Sequence, residues 1–323
     1  MTRKIHFLCY LNRSGSTLLA QKLSEFKDIA VGLECRLGKD FFFNFHAENE
    51  EQLRYWIDRA YEDEKFRNWN IDRESLYKCL QEEPYPLYIN SFLKCALGEK
   101  FRNDSARLLI HKGREIFGDL EYYLRLFKDS KVIFIQRDPR ATFNSQRKST
   151  DSYTQKPMQT DIVQFAKNYK NTVQKINTYL KRLKLQDRLL VVTYENLLRD
   201  EGTELSKILQ FLNSSNKKRK EKSKYSKIIP AEQRHLHTNL TKGNLQERIY
   251  AWQNELSPDD RCFLSFVLKN EIYLDASSEL FKPCVRSKNY LKVISKVLLF
   301  YYRTMPKLIA KKILLFLGLR RNW

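Results

Sequence analysis

The chain alternates between short apolar runs and longer stretches whose apolar residues recur at helical spacing. Short runs that are apolar throughout are typical of strands buried inside a parallel sheet. After the first run, Leu19, Leu23 and Phe26 follow at helical spacing. The pattern predicts an α/β fold in which a central parallel sheet carries helices on both faces. The predicted strands lie at residues 4–11, 29–33, 107–110, 131–136 and 188–193.

The rest of the chain is arranged around this sheet. Residues 41–103, between the second and third strands, are predicted to form a mostly helical insertion, and we expect acceptor contacts there. Residues 159–184 and 202–212 are predicted to be packing helices. The predicted main domain covers residues 1–285.

Residues 286–323 are predicted to be a basic amphipathic helical extension, broken near Pro306. Its longest uncharged stretch, residues 313–319, is far shorter than the roughly 20 residues that a membrane span requires. The pattern is compatible with peripheral contact to anionic lipid, with packing on the chain's own domain, and with packing on a second subunit.

The composition adds a strong positive charge. The formal net charge is +21 and the sequence pI is about 9.6, so the surface attracts anions such as nucleotides, anionic lipids or acidic polysaccharides. Zinc-finger, RNP and basic-zipper signatures are missing from the sequence. We therefore expect no nucleic-acid partner.

The cysteines are widely separated. They form no CxxC pair and have no histidine at metal-ligand spacing, which predicts that there is no metal site. The first apolar run begins almost at residue 1, which leaves no room for a secretory leader. We therefore expect a cytoplasmic protein with reduced thiols. The extension at residues 286–323 adds the expectation that the protein lies peripherally at the membrane.

The segment NRSGST at residues 12–17 joins the first predicted strand to a helix. Backbone N–H groups and the positive end of the helix dipole favour an anion at such a junction, and Arg13 adds positive charge. Gly15 is the only glycine of this segment, and the residue after it is not a lysine. The segment therefore does not match the GxxxxGK[ST] loop of ATPases and kinases. The hydroxyl groups that can donate hydrogen bonds to phosphate oxygens belong to Ser14, Ser16 and Thr17.

A second polar motif, RDPRATFNSQR, follows the fourth predicted strand at residues 137–147. Pro139 suits the first turn of a helix. Arg137 and Ser145 can converge on one phosphate, and Arg147 can add charge. Two such motifs after strands of one parallel sheet predict a ligand with two separate phosphate-like groups.

The paired motifs resemble those of sulfotransferases that depend on 3′-phosphoadenosine-5′-phosphosulfate (PAPS). RSGST at residues 13–17 is similar to the family's 5′-phosphosulfate motif, and RDPRATFNS at residues 137–145 is similar to its 3′-phosphate motif. On short stretches the chain looks closest to the branch that contains tyrosylprotein sulfotransferases. The resemblance implies a P-loop-like three-layer α/β/α fold, PAPS as co-substrate and no metal.

The same resemblance implies roles for single residues. Glu34, in the sequence ECR, matches the family's catalytic glutamate in E-T-R. Lys112 matches an assisting lysine, although Gly113 and Arg114 stand where the family has Asp and Pro. Tyr194 resembles the tyrosine on the adenine side. The loop that closes over PAPS is matched by Lys242, Gly243 and Asn244.

Sulfation of a hydroxyl group needs a base, because the hydroxyl is protonated at neutral pH. Glu34 is the candidate and His111 is the rival, since cytosolic members of the wider family use a histidine after a corresponding strand. Lys112 and Arg13 are expected to stabilise the leaving phosphate. The sequence thus predicts a PAPS-dependent O-sulfotransferase that acts by in-line attack of a carbohydrate, a lipid or a small alcohol. The alternative is a non-catalytic nucleotide- or anion-binding protein that uses its basic surface for lipid or nucleic acid.

Overall fold

The structure is a computed structural model of the chain. It describes residues 3–32, 34–35, 37–113, 120–151, 155–182, 187–214, 245–269 and 290–304. The chain divides into two compact units. The sheet unit consists of Met1–Gln136 with Leu180–Gly243, and the helical unit consists of Arg137–Tyr179 with Asn244–Trp323. The predicted domain boundary at residue 285 lies outside the described residues.

The strands and helices follow the alternation expected of an α/β chain. In chain order they are β1 (Lys4–Tyr10), α1 (Ser16–Ser24), β2 (Ile29–Val31), α2 (Gly38–Asn44), β3 (His46–Ala47), α3 (Glu50–Glu62), α4 (Glu64–Arg67), α5 (Arg73–Gln81), β4 (Leu87–Tyr88), α6 (Ile89–Lys100), β5 (Leu108–Lys112), α7 (Leu120–Leu126), β6 (Val132–Gln136), α8 (Pro139–Lys148), α9 (Ile162–Lys181), β7 (Leu189–Thr193), α10 (Tyr194–Arg199), α11 (Glu201–Phe211), α12 (Glu247–Tyr250), α13 (Trp252–Glu255), α14 (Pro258–Val267) and α15 (Tyr290–Thr304).

The sheet unit is built on a parallel sheet with the strand order β2-β5-β1-β6-β7. β1 lies in the middle, where Phe7, Leu8 and Cys9 have no exposed surface. The predicted α/β fold and each predicted strand are confirmed, because the apolar runs in the sequence are the buried strands. Parallel pairing brings the carboxyl ends of β1, β2 and β5 to one edge of the sheet, which is where such folds bind ligands.

The end of β5 differs from the prediction. The apolar run stops at Ile110, but the strand continues through His111 and Lys112, which pair in register with Phe7 and Leu8 of β1. Both polar residues are buried because the insertion between β2 and β5 covers this end of the strand. Burial by a distant segment leaves no signal in the local sequence.

The insertion is mostly helical, as predicted, and comprises α2 to α6. Asn49, Asp63 and Asp72 cap three of its helices by accepting a hydrogen bond from a backbone N–H group in the first turn. A short antiparallel pair, β3 with β4, was not predicted. Two residues per strand are too few to give a periodic pattern in the sequence.

A disulfide joins Cys79 of α5 to Cys95 of α6, whose Cα atoms lie 5.8 Å apart. The expectation that the thiols are reduced is therefore wrong for this pair. The packing of α5 against α6 brings the two residues together, and their spacing in the sequence gave no sign of it. Cys9 and Cys35 are buried, and Cys262 is half-buried. The predicted cytoplasmic location, which was inferred from the position of the first apolar run, stays a prediction.

The helical unit is organised around α8, which contacts α12, α13 and α14. Asp138 caps α8 and Pro139 occupies its first turn, as the sequence predicts. α14 packs against α15, and the rings of Phe263 and Phe300 meet edge to face with centroids 6.2 Å apart. Within the described ranges, no helix is long and apolar enough to cross a membrane.

Candidate active site

The loop between β1 and α1 has an unusual backbone that depends on one glycine. Arg13 and Gly15 both have positive φ, at 67° and 92°. A Cβ atom on Gly15 would lie 2.2 Å from Cδ2 of Tyr194, so the buried tyrosine ring packs directly on the loop backbone. Both the left-handed φ and the close ring make glycine the residue that fits here. Tyr194, predicted on the adenine side of a nucleotide, therefore also shapes this loop.

The start of α1 presents hydrogen-bond donors that the described side chains do not use. Gly15 is the N-cap residue, and it has no side chain that could cap the helix. The hydroxyl group of Ser14 is buried and makes no hydrogen bond with any described residue. A buried donor without a partner is costly in a folded protein unless a ligand or water accepts from it. Together with the N–H groups of the first helical turn, this hydroxyl fits a bound anion.

Lys112 brings a positive charge to the same loop. Its Nζ atom donates a hydrogen bond to Oγ1 of Thr17 at 3.1 Å and lies 5.0 Å from the ring centroid of Tyr10. Burial lowers the pKa of Lys112; Glu34 opposes this shift, while Lys65 and Arg13 add to it. An anion bound beside Lys112 would favour its charged form.

Glu34 interacts electrostatically with this lysine and forms an ion pair with a second one. Oε1 of Glu34 is 3.5 Å from Nζ of Lys65, which belongs to α4 in the insertion. Lys65 is buried, which is uncommon for a lysine. The group of Arg13, Lys65, Lys112 and Glu34 carries more positive than negative charge and so suits an anionic ligand.

The structure therefore brings together several residues that the sequence predicted, namely Arg13, Ser14, Gly15, Thr17, Glu34, Lys112 and Tyr194. It adds Lys65, which the sequence analysis missed. In the sequence, this lysine stands in the charged stretch EDEKFR and looks like an exposed helix residue. Its burial depends on the packing of the insertion, and no motif marks it.

His111 has a different environment. It is fully buried, and its ring lies 5.6 Å from Phe42, 6.1 Å from Trp69 and 6.3 Å from Phe7 between centroids. An imidazole enclosed by aromatic rings is placed as part of the core. Glu34, the other candidate base, retains partial exposure.

The second motif lies in the helical unit. Arg137 is buried, its carbonyl oxygen accepts a hydrogen bond from the Tyr169 hydroxyl at 2.7 Å, and its Nη2 donates to the carbonyl oxygen of Arg248 at 3.0 Å. Ser145 lies half-buried in α8. These contacts fix the backbone of Arg137, and they hold its side chain beside a second arginine.

Arg147 is tied to α13. It donates to Oδ1 of Asn144 at 3.3 Å and to the backbone carbonyl oxygen of Glu255. The Glu255 carboxylate also binds Arg248 at 3.0 Å and Lys148 at 2.9 Å. Burial alone would raise the pKa of Glu255, but the hydrogen bonds from Asn144, Lys148 and Arg248 lower it to about 2. One carboxylate thus organises a cluster of cations.

Asp138 and Arg140 form a bidentate ion pair inside the helical unit. The Nη2–Oδ2 distance is 2.6 Å, and neither side chain is appreciably exposed. The Arg140 guanidinium also stacks on the ring of Trp252 at 3.9 Å and donates to Ser265. From the sequence alone, these two residues could equally form an ion pair on the surface. They are buried in the structure because the ring of Trp252, which is distant along the chain, covers them.

Four residues that carry the sequence resemblance have no structural account. Arg36 of the ECR match and the predicted closing loop of Lys242, Gly243 and Asn244 lie outside the described residues. Their roles stay predictions.

Comparison with known proteins identifies relatives. The model of the Sulfotransferase family matches residues 7–217. A sulfotransferase domain from the curacin biosynthetic pathway is similar, with a TM-score of 0.52, 19% identity, and coverage of 84% of this chain and 98% of that chain. The sulfotransferase domain of the Synechococcus PCC 7002 olefin synthase gives a TM-score of 0.51, 19% identity, and coverage of 84% and 95%. At these identities the structures show a shared fold. A search of curated proteins found no match.

Proposed function

Since this chain belongs to the sulfotransferase family, we propose that it transfers a sulfuryl group from PAPS to the hydroxyl group of an acceptor. The acceptor class we propose is a carbohydrate, a lipid headgroup or another small alcohol. The tyrosylprotein branch remains a resemblance on short stretches of sequence, and nothing in the fold favours a protein acceptor over these.

One observation carries the proposal. The buried hydroxyl of Ser14 makes no hydrogen bond with a described residue, and it lies next to the start of α1, where the N-cap residue is a glycine without a capping side chain. Lys112, bound to Thr17 in the first turn of that helix, supplies a cation. These donors fit the 5′-phosphosulfate end of PAPS, which is anionic and rich in acceptor oxygens.

The residues of the sheet unit can carry the chemistry. PAPS supplies the sulfuryl group, which forms a new bond to the acceptor oxygen as the bond from sulfur to the bridging phosphate oxygen breaks. Glu34 takes the proton of the acceptor hydroxyl. Lys112 and Arg13 stabilise the negative charge that develops on the leaving phosphate. Lys65 holds the Glu34 carboxylate in place through their ion pair.

The 3′-phosphate is assigned to the second motif. We propose Arg137, Ser145 and Arg147 as its ligands, on the strength of the sequence motif. Because Arg147 already donates to Asn144 and Glu255, its contribution is expected to be electrostatic. Arg137 donates from Nη2 to the carbonyl oxygen of Arg248, and its remaining N–H groups are expected to supply the direct hydrogen bonds.

The proposal is tested by calorimetric titration with 3′-phosphoadenosine-5′-phosphate (PAP), the desulfated product, with ATP and AMP as controls and without added metal. We expect PAP to bind much more tightly than AMP. Equal binding of ATP and PAP would contradict the proposal, and so would the absence of binding. Tight PAP binding without any sulfation in an acceptor screen with labelled PAPS would favour the non-catalytic alternative.

The observation on Ser14 has its own test in the same titration. Ser14→Ala removes the buried donor, and we expect PAP affinity to fall by about tenfold, the effect of losing one hydrogen bond to a charged group. Ser75→Ala, in α5 of the insertion, is the matched control and should leave the affinity unchanged. An unchanged affinity in Ser14→Ala would remove Ser14 from the anion site.

A further inference from the structure

Helix α15 has two apolar faces, and the unit to which it belongs uses one of them. Val293 and Phe300 are buried, and Phe300 packs edge to face on Phe263 of α14. Residues seven apart lie on the same side of a helix, so these two define the inner face. The inner face explains why α15 is docked on α14.

The opposite side of α15 is apolar and exposed. Leu291 is 80% exposed and Leu298, seven residues later, is 59% exposed. Leu299 and Tyr301 are each 40% exposed. We call these four residues the outer face of α15. A surface helix normally carries polar residues on the side away from the core, and clustered exposed apolar residues mark a contact surface.

The basic residues of α15 lie along one flank of the outer face. Lys292, Lys296 and Arg303 follow each other at spacings of four and seven, which places them on one side of the helix. Lys296 binds Asp260 at 2.7 Å and Arg303 binds Asp161 at 2.8 Å. These ion pairs fix the rotation of the helix, so that the leucines of the outer face point away from the unit.

The charge of this part of the sequence identifies the partner. Residues 290–323 contain eight lysines and arginines and no aspartate or glutamate. Two copies of the chain that met through this region would bring like charges together, which disfavours association. An anionic lipid surface offers the opposite charge and an apolar layer in which leucines can be buried.

We propose that the outer face of α15 docks on the surface of an anionic lipid bilayer, with Leu291 and Leu298 inserted below the headgroups. The helix lies in the plane of the interface and does not cross the membrane. Lys292, which is exposed, reaches the headgroup phosphates while its stem lies along the apolar boundary. This inference does not depend on the proposed reaction.

Flotation of the full chain with vesicles tests the proposal. We expect binding to vesicles of phosphatidylcholine mixed with phosphatidylglycerol, and much weaker binding to phosphatidylcholine alone. The double variant Leu291→Ser/Leu298→Ser should bind the mixed vesicles at least about tenfold more weakly, because two apolar anchors are lost. Tyr55→Ser removes an exposed aromatic residue from α3 in the sheet unit and should bind like the original chain.

Three results would overturn the proposal. The first is no binding of the original chain to the mixed vesicles. The second is unchanged binding of the double variant, which would place any lipid contact elsewhere. The third is a dimer in analytical ultracentrifugation that the double variant dissociates, which would assign the outer face to a second copy. Circular dichroism and urea unfolding of the double variant establish that it is folded.

Discussion

Glu34 is the residue whose proposed role depends most on its neighbours. The carboxylate forms an ion pair with a buried lysine of the insertion and interacts electrostatically with the lysine that binds α1, so it is held in place beside the proposed anion site. Glutamine keeps the shape of this side chain and loses its ability to accept a proton. The same site can therefore be tested for binding and for proton transfer separately.

We predict that Glu34→Gln lowers turnover by about 10²- to 10⁴-fold, the usual contribution of a general base. PAP affinity should stay within about threefold, because the phosphate-binding donors are unchanged. Calorimetry measures the affinity, and labelled PAPS with an acceptor found by screening measures turnover. His111→Gln serves as the comparison. If Glu34→Gln is fully active while His111→Gln is folded but inactive, the general base is His111 and not Glu34.

Gly15 allows a second prediction for a single residue. In Gly15→Ala, a left-handed φ costs about 1–2 kcal/mol, and the Cβ atom would collide with the Tyr194 ring. We expect a lower free energy of unfolding and at least about tenfold weaker PAP binding, since the loop must move. Urea unfolding and calorimetry measure the two effects.

The matched control is Gly98→Ala in α6. A Cβ atom at this position meets no atom within 4 Å, and alanine favours a helix over glycine by about 0.5–1 kcal/mol. This variant should be unchanged or slightly more stable and should bind PAP normally. Equal behaviour of the two variants would show that the loop tolerates a side chain at Gly15.

Single residues were predictable from the sequence where a motif marks them. Arg13, Ser14 and Gly15 stand in a short polar segment between a strand and a helix, and the structure gives this segment a left-handed backbone and a buried hydroxyl group. Lys65 was not predictable, because its burial and its contact with Glu34 arise from how the insertion folds over the sheet edge. Local patterns carry information about local contacts only.

At the scale of elements, α8 depends on one buried ion pair at its start. Asp138 both caps the helix and neutralises Arg140, which has no exposed surface. Removing the carboxylate leaves a buried cation without its counter-charge. The Trp252 ring that covers this pair would then cover an unpaired charge.

We predict that Asp138→Ala lowers the free energy of unfolding by about 3–5 kcal/mol. Asn49→Ala, which also removes an N-cap side chain but at an exposed helix start, should lower it by about 1 kcal/mol. The difference between the two variants in urea unfolding isolates the buried pair from the cap. Equal losses would mean that the pair adds nothing beyond capping.

Strands and helices could be predicted where the residues of the segment itself determine whether it is buried. The strands of the sheet are apolar throughout, so their positions could be predicted within a few residues, and the long helix α9 falls inside its predicted range. The carboxyl end of β5, the pair of β3 with β4 and the Cys79–Cys95 disulfide could not. Each of these three features depends on a contact with a segment that is distant in the sequence.

At the scale of the whole molecule, stability is expected to depend on pH through His6. This histidine is buried in β1, and its Nδ1 accepts a hydrogen bond from the backbone N–H of Lys131 at 3.0 Å. Burial, with help from Lys131 and Lys4, lowers the pKa of His6 from 6.5 to about 4, while Asp129 opposes the shift. Between these pH values the unfolded chain binds a proton that the folded chain does not.

We therefore predict that the free energy of unfolding falls as the pH drops from 6.5 towards 4, and that His6 accounts for about 3 kcal/mol of the loss. In His6→Asn, the amide oxygen can accept the same hydrogen bond but does not titrate. Urea unfolding of both proteins at neutral pH and at about pH 4.5 measures the contribution as a difference. Parallel pH dependences would show that His6 is not responsible.

The order of the strands also has a consequence for how the chain is made. β1 is synthesised first and lies in the centre of the sheet, yet its partners are β5 and β6, with Lys4 opposite Leu108. On the ribosome the central strand must wait until the whole insertion has emerged. The insertion, whose helices contact their neighbours in sequence, can fold during that interval.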